Sequence, residues 1–190
     1  MSGGAFGSGS LSGGFAAPAV DAARAFRAAL EAMARPGRIE TIAGAAPPAP
    51  LSAAAGALIL TLCDGETPLH LAGAWDAPAI RAWVAFHAGS PIVAAKDAAF
   101  ALGDWASLAP LDRFAVGTPE YPDRSASLIV ETERLDPSGA RLTGPGIETE
   151  ARLSLPEAAA FQANAALYPL GLDFWFTCGD RLAALPRTTR

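Results

Sequence analysis

Residues 53–63 read Ala-Ala-Ala-Gly-Ala-Leu-Ile-Leu-Thr-Leu-Cys, and only Gly56 and Thr61 interrupt the apolar run. The run falls well short of the ~20 residues needed to span a bilayer. Ser52 stands immediately before it, where a hydroxyl can cap a helix. The segment therefore predicts a helix with almost no polar face. Such a helix must be enclosed by a core or a subunit contact. A chain of 190 residues is expected to form one domain. At that size it buries about 70% of its unfolded surface and needs no disulfide or metal to stand up. Only 17% of its residues are charged, against about 25–35% on a typical soluble surface. That shortfall points to apolar surface covered by another subunit.

Other elements follow from local signals. Residues 1–14 are rich in glycine and serine and read as a flexible start, with a single domain over 15–190. Pro18 suits a first helical turn, and Phe26, Leu30 and Met33 repeat at helical spacing. Arg35-Pro36-Gly37 ends that helix. Residues 39–42 read as a short strand, and residues 43–50, with three prolines, as a linker. Asp64-Gly65 turns the chain into a strand around 68–71. Asp76 with Pro78 opens a helix whose apolar positions are Ile80, Trp83 and Val84, with His87 next in line. Residues 91–94 and 100–102 read as strands and 105–114 as a short helix.

Residues 117–123 read as a loop. Ala126, Leu128 and Val130 alternate, which predicts a strand over 125–132 with one wet face. The turn Asp136-Pro-Ser-Gly139 then predicts a hairpin between this strand and 141–143. Residues 156–167 read as a helix, 172–177 as a central strand, and 181–185 as its hairpin partner after Cys178-Gly179-Asp180. The predicted fold class is α/β: a single domain with a mixed β-sheet flanked by helices.

The sequence excludes several chemistries. The net charge is −5 and no basic cluster stands out, which argues against nucleic acid as a partner. Lys96 is the only lysine, in Ala-Ala-Lys-Asp, so no phosphate loop of the Walker type is present. As a Schiff-base lysine it competes with a plain surface role. Cys63, His70, His87 and Cys178 lack metal-ligand spacing, so no metal is expected. No Gly-x-Ser-x-Gly elbow occurs. The first basic residue is Arg24, with no signal peptide before it, and two distant cysteines make no disulfide framework. The expectation is a soluble cytoplasmic protein without a membrane partner.

Three places stand out as candidates. His87 closes its helix, where a cation complements the negative helix end, or it is a cap or core histidine. Thr143-Gly144-Pro145-Gly146 can face main-chain N–H groups at an anion, or is a plain tight turn. In Pro186-Arg187-Thr188-Thr189-Arg190, Arg187 carries a fork of donors that fits phosphate or phosphonate, with Thr188 and Thr189 adding hydroxyls. The alternative is an exposed tail.

The end of the chain, from Tyr168-Pro-Leu-Gly-Leu-Asp-Phe174 through Cys178-Gly-Asp-Arg-Leu-Ala-Ala-Leu-Pro-Arg-Thr-Thr189, closely resembles the H-subunit family of the carbon–phosphorus lyase system (PhnH). Other blocks agree in order: Phe26-Arg27 with Met33-Ala-Arg-Pro-Gly37, Leu60-Thr-Leu62 with Asp64 and Thr67-Pro68, Phe86-His87, and Leu142-Thr-Gly-Pro-Gly-Ile147. The resemblance runs from about Phe15 to Thr189. It implies a role in bacterial phosphonate breakdown as one subunit of a cytoplasmic core complex, a ribose 1-methylphosphonate 5-triphosphate synthase-type transferase. That complex uses phosphonate and ATP, displaces adenine and forms ribose 1-phosphonate 5-triphosphate. The resemblance further implies a reduced pyridoxal-phosphate-dependent transferase fold without the cofactor, a homodimer, and partners among the other core-complex subunits. Phosphonate or ATP are the implied ligands. The family supplies no catalytic residue to carry over, so Arg35, His87, Gly144, Gly146, Arg187, Thr188 and Thr189 are ligand-binding candidates only. Three roles stay open: a supporting subunit, an anion- or nucleotide-binding subunit contributing Arg187, and an architectural dimer brace.

Overall fold

The computed structural model describes residues 12–190. Most of the glycine- and serine-rich start therefore lies outside the described residues. Its last three residues rest on the fold, where the Ala46 N–H donates to Gly13 O at 2.8 Å.

The first helix, α1 (Pro18–Ala34), starts on its proline and stops where Arg35, ahead of Pro36, leaves the helical region. The large side chains that mark its period do not form its buried face. Ala25, Ala29 and Ala32 do, while Phe26 and Leu30 are 53% and 57% exposed. Small residues let α1 sit close on its neighbours, chiefly α2 (Ala53–Leu62) and β8 (Arg181–Leu185). In α2, Ser52 accepts from the Ala55 N–H and Leu58 and Ile59 are fully enclosed. Each of those two contributes about 1.5–3 kcal/mol by burial.

The main sheet also contains β1 (Glu40–Thr41), β2 (Leu69–Leu71), β3 (Phe100–Asp104), β4 (Ser127–Glu131) and β7 (Asp173–Cys178). Its order is β1-β8-β7-β4-β3-β2. Strands β2, β3, β4 and β7 run parallel, β8 runs against them, and β1, antiparallel to β8, runs in their direction. Helices cover both faces. Helices α1, α2 and α3 (Pro78–His87) enclose one core with Leu102, Ile129, Trp175 and Leu182. On the other face Leu128, Val130, Phe174 and Phe176 pack with Leu108 of α4 (Trp105–Leu108) and Phe161 of α5 (Ala158–Ala165). Neighbouring strand residues thus alternate between two cores.

Four expectations are corrected. The strand at 125–132 has no wet face: Leu128, Ile129 and Val130 are all fully buried because helices cover both faces of β4, Ile129 packing into one core and Leu128 and Val130 into the other. It forms no hairpin with 141–143. That segment is β5 (Ala140–Leu142), which pairs with β6 (Ala151–Leu153) in a separate two-stranded ribbon. Residues 91–94 make only an isolated bridge between Ile92 and Leu69. The expected helix at 105–114 divides into α4 and a 3-10 turn at Leu111–Arg113, because Pro110 donates no N–H.

Candidate functional site

Strand β8 ends at Leu185 and delivers Arg187 to the start of β7. The Arg187 N–H donates to Asp173 Oδ1 at 2.8 Å, and its guanidinium pairs with Asp173 Oδ2 at 2.5 Å. The remaining donors reach Pro122 O at 2.8 Å and Ser125 Oγ at 2.5 Å. The side chain is 13% exposed. The fork expected to face a ligand is therefore directed at the protein, where it fastens the 117–125 loop and β7 to the tail.

The other tail residues meet the Thr143–Gly146 turn. Thr143 and Arg190 exchange main-chain hydrogen bonds of 2.6 and 2.8 Å. A Cβ on Gly144, which has φ +132°, would lie 3.0 Å from Thr188 O. One on Gly146 would lie 2.0 Å from Ala34 O. Both glycines are required by close approach of the backbone, one to the tail and the other to the end of α1. Gly144, Arg187 and Thr188 line a common cavity of about 400 Å3 with Tyr168 and Arg190. Thr189 is 3% exposed, and its hydroxyl is buried without a partner among the described residues.

The remaining candidates lie elsewhere. Arg35 is exposed at the end of α1 and pairs with Glu31 at 3.5 Å. It is a chain neighbour of the Ala34 carbonyl that Gly146 approaches, but it does not line the cavity. His87 sits at the end of α3 against Trp83, Phe86 and the main chain of Ser12. Among the described residues, no three His, Cys, Asp or Glu side chains are grouped to hold a metal ion.

Sequence reasoning missed Asp173, Arg190 and Glu131. Glu131 ends β4 and is 8% exposed. It accepts from the Ser52 N–H and from Thr177 Oγ1, both at 2.8 Å. Burial pushes its carboxyl above the ordinary range, although these hydrogen bonds work against the shift. It ties α2 to the carboxyl end of the sheet. The signal was a lone acid closing an apolar strand.

A family model described as bacterial phosphonate metabolism protein (PhnH) matches residues 13–190. The chain belongs to the PhnH family. It is similar to the alpha-D-ribose 1-methylphosphonate 5-triphosphate synthase subunit PhnH of Rhizobium meliloti (strain 1021), with 42% identity covering 94% of each chain. It is also similar to the putative C-P lyase subunit protein HtxG of Stutzerimonas stutzeri, at 29% identity over 87% of this chain and 83% of that one. The family match takes in the 143–146 turn and the tail, so the cavity they form belongs to the PhnH domain itself.

Proposed function

We propose that this chain is a subunit of a carbon–phosphorus lyase core assembly. It supports formation of ribose 1-phosphonate 5-triphosphate from a phosphonate and ATP, with release of adenine, and does not turn over by itself. The carrying observation is 42% identity, over 94% of both chains, to a protein named as a synthase subunit. The internal engagement of Arg187 adds support, because the side chain best suited to grip a substrate braces the fold instead.

The same reading makes the protein a cytoplasmic homodimer. Cys63 and Cys178 are free thiols, as suits a reducing compartment, and burial pushes Cys63 up to about 12. Phe26 and Leu30 on α1 and Phe86 on α3 leave large apolar side chains for a second chain to cover. The sheet reads as a reduced pyridoxal-phosphate-dependent transferase fold without its cofactor. In support, Lys96 lies exposed in a 3-10 turn ahead of β3. No lysine is then left for the carboxyl ends of the parallel strands, where open α/β sheets bind ligands.

A second reading, an anion-binding subunit, is favoured by the cavity that Gly144, Arg187 and Thr188 share. The test of the main reading is adenine release from ATP with methylphosphonate. The purified chain alone is expected to release none. The assembled core is expected to turn over, and to stop when this chain is omitted. Turnover by the chain alone would overturn the reading.

A further inference from the structure

We propose that the groove lined by α4 and α5 docks an apolar segment of a different polypeptide, one that carries a lysine or arginine beside its apolar side chains. The proposal deepens the subunit reading above and rests on it. The groove has a volume of about 420 Å3. It is lined by Trp105 of α4, by Pro110 and Leu111 after it, by Ala163 of α5 and by Leu167 just past that helix. Asn164 also lines it, but its amide is used internally, donating to Leu172 O at 2.9 Å and accepting from the Leu172 N–H at 2.8 Å.

The charged groups of the lining are two exposed carboxylates, Asp112 and Glu157. Neither has a cation for a partner among the described residues. Glu157 Oε2 accepts from Trp105 Nε1 at 3.0 Å, and that donor is neutral. Asp112 has no ionic or hydrogen-bond partner among the described residues. Arg113, next in the chain, is turned instead to His70 Nε2 and Ser107 O, at 3.3 and 3.1 Å. An apolar groove is thus left with two uncompensated negative charges.

That combination selects the occupant. The carboxylates repel the anionic headgroups of a lipid surface. A second copy seated groove to groove would set each pair of carboxylates against the same pair, since a two-fold contact places like on like. A polypeptide segment with apolar anchors and one cation meets both features. The apolar surface also runs beyond the groove. Residues 158–172 contain no charge, and Leu167 and Tyr168 are 49% and 58% exposed. A small ligand in the groove would leave that surface bare, whereas a polypeptide covers it.

The test is made on the core assembly purified from cells grown on phosphonate. p-Benzoylphenylalanine in place of Leu167 links the edge of the groove, under ultraviolet light, to whatever occupies it. The linked peptide is expected to belong to another polypeptide of the assembly and to carry a lysine or arginine among apolar residues. In a second arm, wild type and a variant are co-expressed, and mass analysis gives the ratio in which the assembly takes them up. Ala163→Glu puts a charge among the apolar side chains and is expected to be taken up about tenfold less than wild type. Asp112→Asn combined with Glu157→Gln removes both charges but keeps an acceptor for Trp105, and about fivefold less uptake is expected. Residues 112, 157 and 163 are all exposed, so the variants should keep the wild-type melting temperature. A link to a second copy of this chain, or a linked peptide without a basic residue, would overturn the proposal. So would equal uptake of either variant, or no link in an assembly that contains the chain. Absence of the wild-type chain from any assembly would overturn the subunit reading as well.

Discussion

Removing the Arg187 side chain would strand Asp173, 22% exposed, beside Pro122 O and Ser125 Oγ with no cation between them. Breaking a largely buried pair costs more than the pair is worth, because the surviving charge stays desolvated. Arg187→Ala is therefore expected to lower unfolding stability by about 2–3 kcal/mol, read by urea denaturation. Wild-type stability would show that Arg187 is a free ligand rather than a fastener. This distinction was not legible in the tail. Spacing showed that a donor fork follows β8, but Ser125 lies 62 positions away in sequence. Arg190 carries no motif of its own, and only the fold shows it among three cavities.

At the scale of elements, caps and turns were read correctly, the local readings of 91–94 and 105–114 were not, and long-range pairing was missed. Ser52 before α2, Pro18 at the start of α1 and Gly179 between β7 and β8 each act within a few residues. The pairing of β4 with β3 and β7 depends on chain far from it. Reading Ala126, Leu128 and Val130 as alternate passed over Ile129, whose burial makes the strand central. Glu131 then clamps the end of β4 to the start of α2. The folded state holds the Glu131 proton more tightly than the unfolded chain does. The stability it contributes is full below the ordinary glutamate range and is lost as pH rises through the elevated folded value. Glu131→Gln should therefore melt near wild type at about pH 4 and above it at about pH 8, with the gap widening between. Differential scanning fluorimetry across that range checks this, and a gap independent of pH would contradict it.

Across the whole molecule, the fully enclosed α2 and the low charge content both find a physical outlet. The core on one face of the sheet accounts for α2, whose Ala54, Ala55, Ala57, Leu58 and Ile59 all belong to it. The scarcity of charge shows at the surface as Phe26, Leu30, Phe86, Leu167 and Tyr168, all about half exposed. Apolar side chains in that number are what a subunit keeps for its companions. None of the helices in the described residues is long and apolar enough to cross a membrane.

The most direct measurement is affinity purification of the tagged chain from cells grown on phosphonate, followed by native mass analysis. The account predicts one stable assembly in which this chain and other carbon–phosphorus lyase subunits keep a fixed ratio through purification. Recovery of the chain only as a free species, from cells that are breaking phosphonate down, would contradict it.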